Sequence, residues 1–328
     1  MAIAEFASRR GTIRVMTRVF VAGATGAVGK PLVPLLVEAG HSVVGMTRSP
    51  AKAEAVRAAG AEAVVADALD RDAVVDAVGK ANPEVVVHQL TALSGKFDTR
   101  RFDRLFEVTN RLRTEGTDHL LEAARAAGAR RFVAQSFAGW PYERTGGPVK
   151  TEEDPLDPAP PEPMRRTLDA IRYLEEAVLG AEELEGIVLR YGAFYGPDTG
   201  IGALLEDVRR RRFPIVGKGT GVWSFVHVGD AGRATVATVE RGAPGVYNIV
   251  DDEPAPVSEW LPVLAESIGA KPPRRVPVFL ARLVAGEAGV SMMTQARGAS
   301  NAKAKHDLGW ELKYPTWRQG FRQGLESG

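Results

Sequence analysis

The chain has 328 residues, of which 45% are hydrophobic and 25% are charged, a balance typical of a folded protein rather than a disordered one. Its 42 Lys and Arg residues nearly cancel its 41 Asp and Glu residues, so no overall positive field favours nucleic acid or an anionic membrane surface. It contains no cysteine, which excludes disulfides, thiolate metal sites and a cysteine nucleophile. We therefore expect a protein that acts on a small molecule.

Residues 1–15 contain no apolar run of signal-peptide length, and no later segment has the apolar length of a membrane span. A strand-like run follows Met16 directly, so residues 1–15 are interpreted as an N-terminal extension. The five histidines lack metal-ligand spacing, which argues against a metal site. These patterns predict a cytoplasmic protein that binds neither membranes nor nucleic acid.

Short β-branched runs alternate with helical stretches over the first part of the chain, at 18–23, 42–48, 61–67, 83–90, 130–136 and 185–192. Such alternation is typical of a parallel sheet with helices on both faces. We predict an α/β fold with a doubly wound, Rossmann-type parallel sheet and a smaller C-terminal α/β substrate lobe. The sheet domain is predicted over 16–192, with 229–250 returning to it, and the lobe over 193–228 and 251–328.

A glycine-rich turn, GATGAVG, lies between the first predicted strand and the first predicted helix. Its glycines allow backbone conformations closed to other residues and a close approach of the helix to the sheet, while exposed helix amides can receive a pyrophosphate. This context predicts a dinucleotide site. The residues assigned to it are Gly23, Thr25, Gly26, Ala27, Val28 and Gly29.

The end of the second predicted strand lacks the acidic residue that usually binds the ribose 2′-hydroxyl of NAD. Arg48 occupies that region, with Thr47 and Lys52 nearby. A guanidinium suits a 2′-phosphate, because it can form charge-assisted, bidentate hydrogen bonds. The sequence therefore favours NADP(H), with NAD as the alternative.

Several further segments resemble those of extended or atypical short-chain dehydrogenases/reductases of the epimerase/dehydratase group. The resemblance implies an NAD(P)-binding sheet domain, further cofactor contacts from Asp67, Ala68, Leu90, Thr91 and Tyr191, and a homodimer formed through helices near 103–127 and 165–180. The segments are VVVHQLTA (85–92), EGTDHLLEAARAAGARRFVAQS (115–136), LRYGAFYGP (189–197), SFVHVGDAGRAT (224–235), GVYNIVDDEP (245–254) and KAKHDLGW (303–310).

The catalytic signature of this group, a Tyr four residues before a Lys, is absent from the chain. In the group the lysine ammonium lowers the pKa of the phenol, so that the Tyr can transfer a proton at neutral pH. Aligning helix 169–178 through Glu176 places Leu168 in the tyrosine position and Arg172 in the lysine position. Arg172 can then still hold the ribose, but Leu168 can transfer no proton.

The polar residue that the group carries after the fifth strand corresponds to Ser136 or Phe137. Immediately downstream, a turn with two aromatic residues falls at the carboxyl edge of the sheet, where open α/β folds bind ligands. We expect Tyr142 in this turn to replace the missing acid, with Ser136 beside it. The alternative is that Trp140 and Tyr142 only wall the pocket or fill a gap.

Relatives that act on nucleotide sugars tend to carry an Arg where this chain has Trp223. An indole cannot neutralise a diphosphate, so the sequence favours a flat or apolar carbonyl or enone compound. The aromatic residues expected to line its site are Trp140, Phe194, Tyr195 and Trp223.

Three functions remain open from the sequence. The first is an NADP(H)-dependent oxidoreductase that reduces a carbonyl or conjugated double bond. The second is a redox-neutral epimerase, isomerase or lyase with bound NAD(P), and the third is a non-catalytic regulator that senses NADP(H). Because the cofactor supplies the redox chemistry, loss of the Tyr–Lys pair need not abolish hydride transfer.

Overall fold

A computed structural model describes residues 16–93 and 98–325, so the predicted N-terminal extension lies outside the described residues. Seven parallel strands form one sheet in the order β3-β2-β1-β4-β5-β6-β7. This order confirms the predicted doubly wound α/β fold. The strands are β1 (Arg18–Ala22), β2 (Ser42–Thr47), β3 (Glu62–Val65), β4 (Val85–His88), β5 (Arg131–Phe137), β6 (Glu185–Tyr191) and β7 (Gly245–Ile249).

Helices cover both faces of the sheet, which explains why the central strands are continuous apolar runs rather than alternating ones. All four residues of β4 are buried, and β1 has an intermediate first residue followed by four buried ones. The first nine helices are α1 (Gly29–Glu38), α2 (Pro50–Ala58), α3 (Arg71–Ala81), α4 (Phe102–Leu105), α5 (Glu107–Arg113), α6 (Glu115–Ala126), α7 (Arg165–Leu179), α8 (Ile201–Arg209) and α9 (Val228–Glu240).

Residues after β6 build a second apolar core around Trp260 and Trp317, both completely buried. Four further helices follow α9, namely α10 (Val257–Ser267), α11 (Val278–Thr294), α12 (Ala302–Leu308) and α13 (Trp317–Gln323). Short strand pairs complete the fold: Val149–Lys150 with Gly298–Ala299, Ala193–Tyr195 with Phe225–His227, Ile215–Val216 with Arg275–Val276, and Val222–Trp223 with Ala255–Pro256.

The chain returns to the sheet after entering this second core. Strand β7 pairs in parallel with β6, and helix α9 packs against α1 on one face of the sheet. None of the described helices combines the length and apolar character that a membrane span requires.

The strand order reverses between β1 and β4, which are neighbours although β2 and β3 separate them along the chain. Open α/β sheets bind ligands in the crevice at such a point, outside the carboxyl ends of the strands. The turn after β1 and the segment after β4 therefore define where a cofactor is expected.

Candidate active site

The turn after β1 is shaped by contacts that only glycine permits. Gly23 has a φ of +92°, and a Cβ there would lie 2.6 Å from the carbonyl oxygen of Gln89. A Cβ at Gly29 would lie 2.2 Å from the carbonyl oxygen of Gly23. No described side chain caps the start of α1, and the N-terminus of a helix favours an anion. This backbone cradle fits the pyrophosphate of a dinucleotide.

The turn is tied to the end of β2. The amides of Gly23 and Ala24 both donate to the carbonyl of Met46, and the hydroxyls of Thr25 and Thr47 lie 3.2 Å apart. The next residue, Arg48, is exposed beside this contact. Arg48 thus follows β2 directly after the residue that contacts the glycine-rich turn.

Other residues assigned to the cofactor follow neighbouring strands at the same edge. Asp67 is exposed after β3, and its carboxylate accepts a hydrogen bond from the amide of Leu69, while Ala68 is buried. Leu90 follows β4 and lies against the glycine turn, since its amide nitrogen would be 3.2 Å from a Cβ at Gly23. Thr91 is exposed. Because β3, β2, β1 and β4 are neighbours in the sheet, the segments that follow them lie side by side at its carboxyl edge.

Tyr191 is placed differently from the cofactor contact expected for it. The side chain is 1% exposed, and its hydroxyl lies 2.7 Å from that of Thr235 and accepts a hydrogen bond from Gln89 at 3.1 Å. Burial raises the pKa of Tyr191 well above its usual value. The phenol is therefore enclosed between Thr235 and Gln89. Gln89, which the sequence did not single out, has a buried Oε1 to which no other described residue donates a hydrogen bond.

Glu176, through which helix α7 was aligned, is exposed. The neighbouring Glu175 is the buried carboxylate, and it forms an ion pair with Arg190 at 2.6 Å. Anchoring the helix on Glu175 moves the tyrosine and lysine positions to Thr167 and Ile171. The Tyr–Lys pair is absent in either register.

Arg172 does not point toward the crevice. Its guanidinium donates to the backbone carbonyl of Asp157 and, at 2.9 Å, to the carboxylate of Asp169. These contacts hold it against the loop before α7. The expected hydrogen bond to the cofactor ribose is therefore not supported by this geometry.

Ser136 also faces helix α7 rather than open space. The residue is 7% exposed, and its hydroxyl donates to Oε1 of Glu175 at 2.6 Å. The next residue of β5, Phe137, points to the opposite side and lines a cleft. Ser136 is thus a partner of the buried carboxylate.

Tyr142 is completely buried. Its hydroxyl donates to Oδ1 of Asn248 at 2.6 Å and accepts from Arg190 at 3.1 Å, and the guanidinium of Arg190 lies 5.1 Å from its ring centroid. Burial raises the pKa of Tyr142. This placement matches the alternative that Tyr142 fills a gap, since the phenol is completely buried and is not among the described residues that line the cleft next to β5.

A narrow cleft of about 30 Å³ lies between the end of β5 and the C-terminal core. The described residues that line it include no titratable side chain. Trp140 lies 6.3 Å from Phe137 between ring centroids, and the indole nitrogen of Trp223 donates to the carbonyl of Met292 at 2.9 Å. Because an aromatic ring needs more volume than this, substrate entry requires these side chains to move apart. The lining residues are Phe137, Ala138, Gly139, Trp140, Ala193, Val222, Trp223, Ser224, Met292 and Ala296.

Two of the four aromatic residues expected in the substrate site lie elsewhere. Tyr195 is completely buried in the C-terminal core, with its ring 5.4 Å from that of Phe321. Phe194 packs against Tyr191, with ring centroids 5.2 Å apart. Ala193, at the start of the same short strand, lines the cleft instead. Trp140 and Trp223 are the two that the structure brings together.

Similarity to a known protein family and to a reductase covers most of the chain. A family model described as the NAD dependent epimerase/dehydratase family matches residues 19–250. A 3-diazoavenalumate denitrifying reductase from a Streptomyces species is 49% identical over 311 residues, which cover 93% of this chain and 99% of that protein. The similarity to this reductase thus extends over both the sheet and the C-terminal core.

More distant relatives carry other activities on the same fold. A 4-hydroxy-2-methyl-3-oxo-4-farnesyl-3,4-dihydroquinoline-1-oxide ketoreductase from Stigmatella aurantiaca is 29% identical, over 90% of this chain and 87% of that protein. The structure of a Thermus thermophilus UDP-glucose 4-epimerase in complex with NAD superposes with a TM-score of 0.69 at 24% identity, covering 94% of this chain and 97% of the epimerase chain.

Proposed function

The chain belongs to the NAD dependent epimerase/dehydratase family and is an NAD(P)-dependent oxidoreductase, and we propose that it replaces the diazo group of an aromatic diazo acid by hydrogen. The substrate class follows the denitrifying reductase that is 49% identical to it. The cofactor is proposed to be NADPH.

The observation that carries this proposal is that the described residues lining the cleft include no titratable side chain that could act as an acid. The family's polar position corresponds to Ser136 or Phe137, of which Phe137 lines the cleft and Ser136 is bound to Glu175. The other lining side chains in the described part of the chain are apolar, indole or, at Ser224, a buried hydroxyl. The Ser224 hydroxyl lies 2.8 Å from the amide nitrogen of Ala299, from which it accepts a hydrogen bond. A reaction that takes up no proton at the reacting atom needs no acidic side chain there, so it is compatible with these lining residues.

Replacement of an aromatic diazonium group by hydrogen is a reaction of this kind. A reduced nicotinamide supplies one hydride, which forms a C–H bond at the ring carbon. The C–N bond breaks and N₂ leaves. The negative charge of the hydride cancels the positive charge of the diazonium. A ketone, by contrast, takes a hydride on carbon and a proton on oxygen, which a positioned acid must deliver.

The protein's own part in the reaction is binding and orientation. The flat walls formed by Phe137, Trp140 and Trp223 suit an aromatic ring, which they would hold by stacking and by exclusion of water. Water exclusion protects a diazonium from hydrolysis, which otherwise competes with reduction.

The cofactor preference rests on Arg48 and on the absence of an acidic side chain at the end of β2. An exposed guanidinium next to the Thr25–Thr47 contact can bind a 2′-phosphate through charge-assisted hydrogen bonds. The glycine turn, Asp67, Ala68, Leu90 and Thr91 are proposed to contact the rest of the dinucleotide.

The test is anaerobic incubation of the protein with NADPH and an aromatic diazonium carboxylate. We expect NADPH oxidation, N₂ release and, with NADPH deuterated at the transferring position, one deuterium on the ring carbon. A protein-free reaction corrects for direct chemical reduction, and ketones and conjugated enones serve as competing substrates. Turnover of a ketone or enone without turnover of the diazonium acid would contradict the proposed substrate, and product without ring deuterium would contradict hydride transfer.

A homodimer is proposed through α5, α6 and α7, as the family resemblance implies. The outer face of α4, α5 and α7 carries an open groove of about 860 Å³ that includes the exposed ring of Tyr173. Sedimentation equilibrium of the wild type and of Tyr173→Glu tests it. We expect a dimer that the substitution weakens, whereas a monomeric wild type would contradict the proposal.

A further inference from the structure

Arg113 is a buried cation whose charge no acidic partner neutralises directly. It is the last residue of α5 and is 8% exposed. Its guanidinium donates one hydrogen bond, at 3.2 Å, to the amide oxygen of Asn110 and lies 5.6 Å from the ring centroid of Phe106. Within residues 16–93 and 98–325 it makes no ion pair with a carboxylate.

The titratable groups nearest to Arg113 do not supply a counter-charge for its guanidinium. His88, at the end of β4, is completely buried, and burial lowers its pKa to about 4, so this imidazole is neutral at physiological pH. Glu175 attracts the guanidinium at longer range, but both of its oxygens are already bound by Arg190, one of them also by Ser136. Burial lowers the pKa of Arg113 to about 10, which still leaves it charged at neutral pH.

Its neighbours connect Arg113 to the cleft. The Phe106 ring stacks on Phe102 at 4.7 Å, and Phe102 meets the edge of Trp140 at 5.2 Å. Trp140 in turn lines the cleft. Arg113 is therefore linked to the cleft wall through the rings of Phe106 and Phe102.

A largely buried guanidinium without a counter-charge is costly, because no anion compensates its desolvation. An anion that reaches it gains a strong attraction, since the surroundings are poorly polarisable. A ribose hydroxyl carries no charge and could not compensate it in this way.

We propose that Arg113 binds the anionic oxygen of the aromatic acid and so fixes which face and which end of the ring enter the cleft. The inference rests on the proposed function, because it assigns the charged end of that substrate. The anionic oxygen is either a carboxylate or a phenolate, which share this chemistry.

The test uses the NADP⁺-loaded protein and ligands that cannot react, so that binding is separated from turnover. Dissociation constants for 4-hydroxycinnamate, its methyl ester and 4-methoxycinnamate are measured by quenching of tryptophan fluorescence. The ester lacks the carboxylate and the ether lacks the phenol. The wild type is expected to bind 4-hydroxycinnamate at least about tenfold more tightly than the derivative that lacks the recognised oxygen.

Arg113→Met keeps much of the volume and removes the charge, Arg113→Lys keeps the charge, and Arg125→Met is the control, since Arg125 is exposed on α6. Arg113→Met is expected to abolish the preference for the charged ligand without weakening the derivative, and Arg113→Lys to keep part of it. Equal weakening of charged and neutral ligands would overturn the inference. Should Arg113→Met not fold, the wild-type preference and its decrease in Arg113→Lys decide the question.

Failure of this inference is distinguishable from failure of the proposed function. A wild type that reduces a diazonium acid but binds the acid and its neutral derivatives equally overturns only the role of Arg113. A wild type that shows the Arg113-dependent preference but reduces no diazonium acid overturns the proposed reaction and leaves an anion site.

Discussion

Glu175 on α7 and Arg190 on β6 form a two-point ion pair inside the protein, with Nη2–Oε2 at 2.6 Å and Nε–Oε1 at 2.9 Å. Both residues are at most 6% exposed. The pair joins the helix that carries the catalytic signature in the family to the strand that precedes the C-terminal core. It is extended by Ser136 on one side and Tyr142 on the other.

Glu175→Gln leaves the Arg190 guanidinium buried without a counter-charge. Removing one partner of a buried ion pair usually costs about 3 kcal/mol or more. We expect the free energy of unfolding in urea to fall by about this amount. Glu176→Gln is the matched control, because the neighbouring carboxylate is exposed and its neutralisation should change stability little. Equal effects of the two substitutions would contradict the buried network.

Tyr142→Phe separates the two roles considered for this phenol. The substitution removes a hydroxyl that donates to Asn248 and accepts from Arg190, so we expect a loss of about 1–2 kcal/mol in stability. Because the phenol is buried and is not among the described residues that line the cleft, kcat should stay within about twofold of the wild type at a temperature where both are folded. A large loss of kcat with unchanged stability would instead identify Tyr142 as the acid that the sequence suggested.

The sheet and the cofactor turn were predictable because their signals are local. The strand bounds follow from short apolar runs, and the turn from glycines that a strand and a helix enclose. The direction of individual side chains at the carboxyl edge was not predictable. Successive residues of a strand face opposite sides of the sheet, so an error of one residue reverses the direction. Ser136 and Phe137 show this: one lies against Glu175 and the other in the cleft. The same one-residue ambiguity separates Glu175 from Glu176.

The buried partners were missed for a related reason. Arg113 and Arg190 look like ordinary surface charges in a sequence, and only the fold shows that both are enclosed. Their signal in the sequence is weak, consisting of an arginine inside an apolar strand for Arg190 and an arginine at a helix end for Arg113. Tertiary contacts, not local pattern, decide such positions.

Arg48→Ala tests the cofactor preference. Loss of a charge-assisted contact to the 2′-phosphate should raise the Kd for NADPH about tenfold or more and leave the Kd for NADH nearly unchanged, as measured by fluorescence of the bound nicotinamide. Arg57→Ala on α2 removes an exposed arginine away from the turn and should change neither value. Equal weakening of both nucleotides would contradict a phosphate contact.

Gly29→Ala tests the cradle itself. The new Cβ would lie 2.2 Å from the carbonyl oxygen of Gly23 and 2.6 Å from the carbonyl carbon of Ala24, so the turn must move. We expect loss of binding for both NADPH and NADH in a titration, together with reduced stability. Gly79→Ala is the control, because a Cβ there meets nothing within 4 Å and alanine favours the helix. A Gly29→Ala protein that binds NADPH normally would contradict the assignment of the turn.

We expect the buried carboxyl of Asp251, in the C-terminal half of the chain, to make the stability of the protein depend on pH. The side chain is 1% exposed, and burial raises the pKa of Asp251 well above 3.8, with Glu253 and Asp252 adding to the effect. The folded state therefore holds this proton more tightly than the unfolded state. Its contribution to stability is complete below the unfolded pKa and is lost as the pH rises through the folded pKa.

Asp251→Asn keeps an oxygen that can accept the amide hydrogen bond of Glu253, seen at 3.2 Å, and cannot ionise. We expect the variant to exceed the wild type in stability at pH values above the folded pKa, and the difference to shrink as the pH falls toward about 4, where the wild-type carboxyl is protonated as well. Urea unfolding of both proteins across this pH range measures the difference directly, and Asp252→Asn on the neighbouring exposed residue controls for general charge effects. A difference between Asp251→Asn and wild type that grows as the pH falls would show that the carboxylate, not the acid, is the form that the folded protein stabilises.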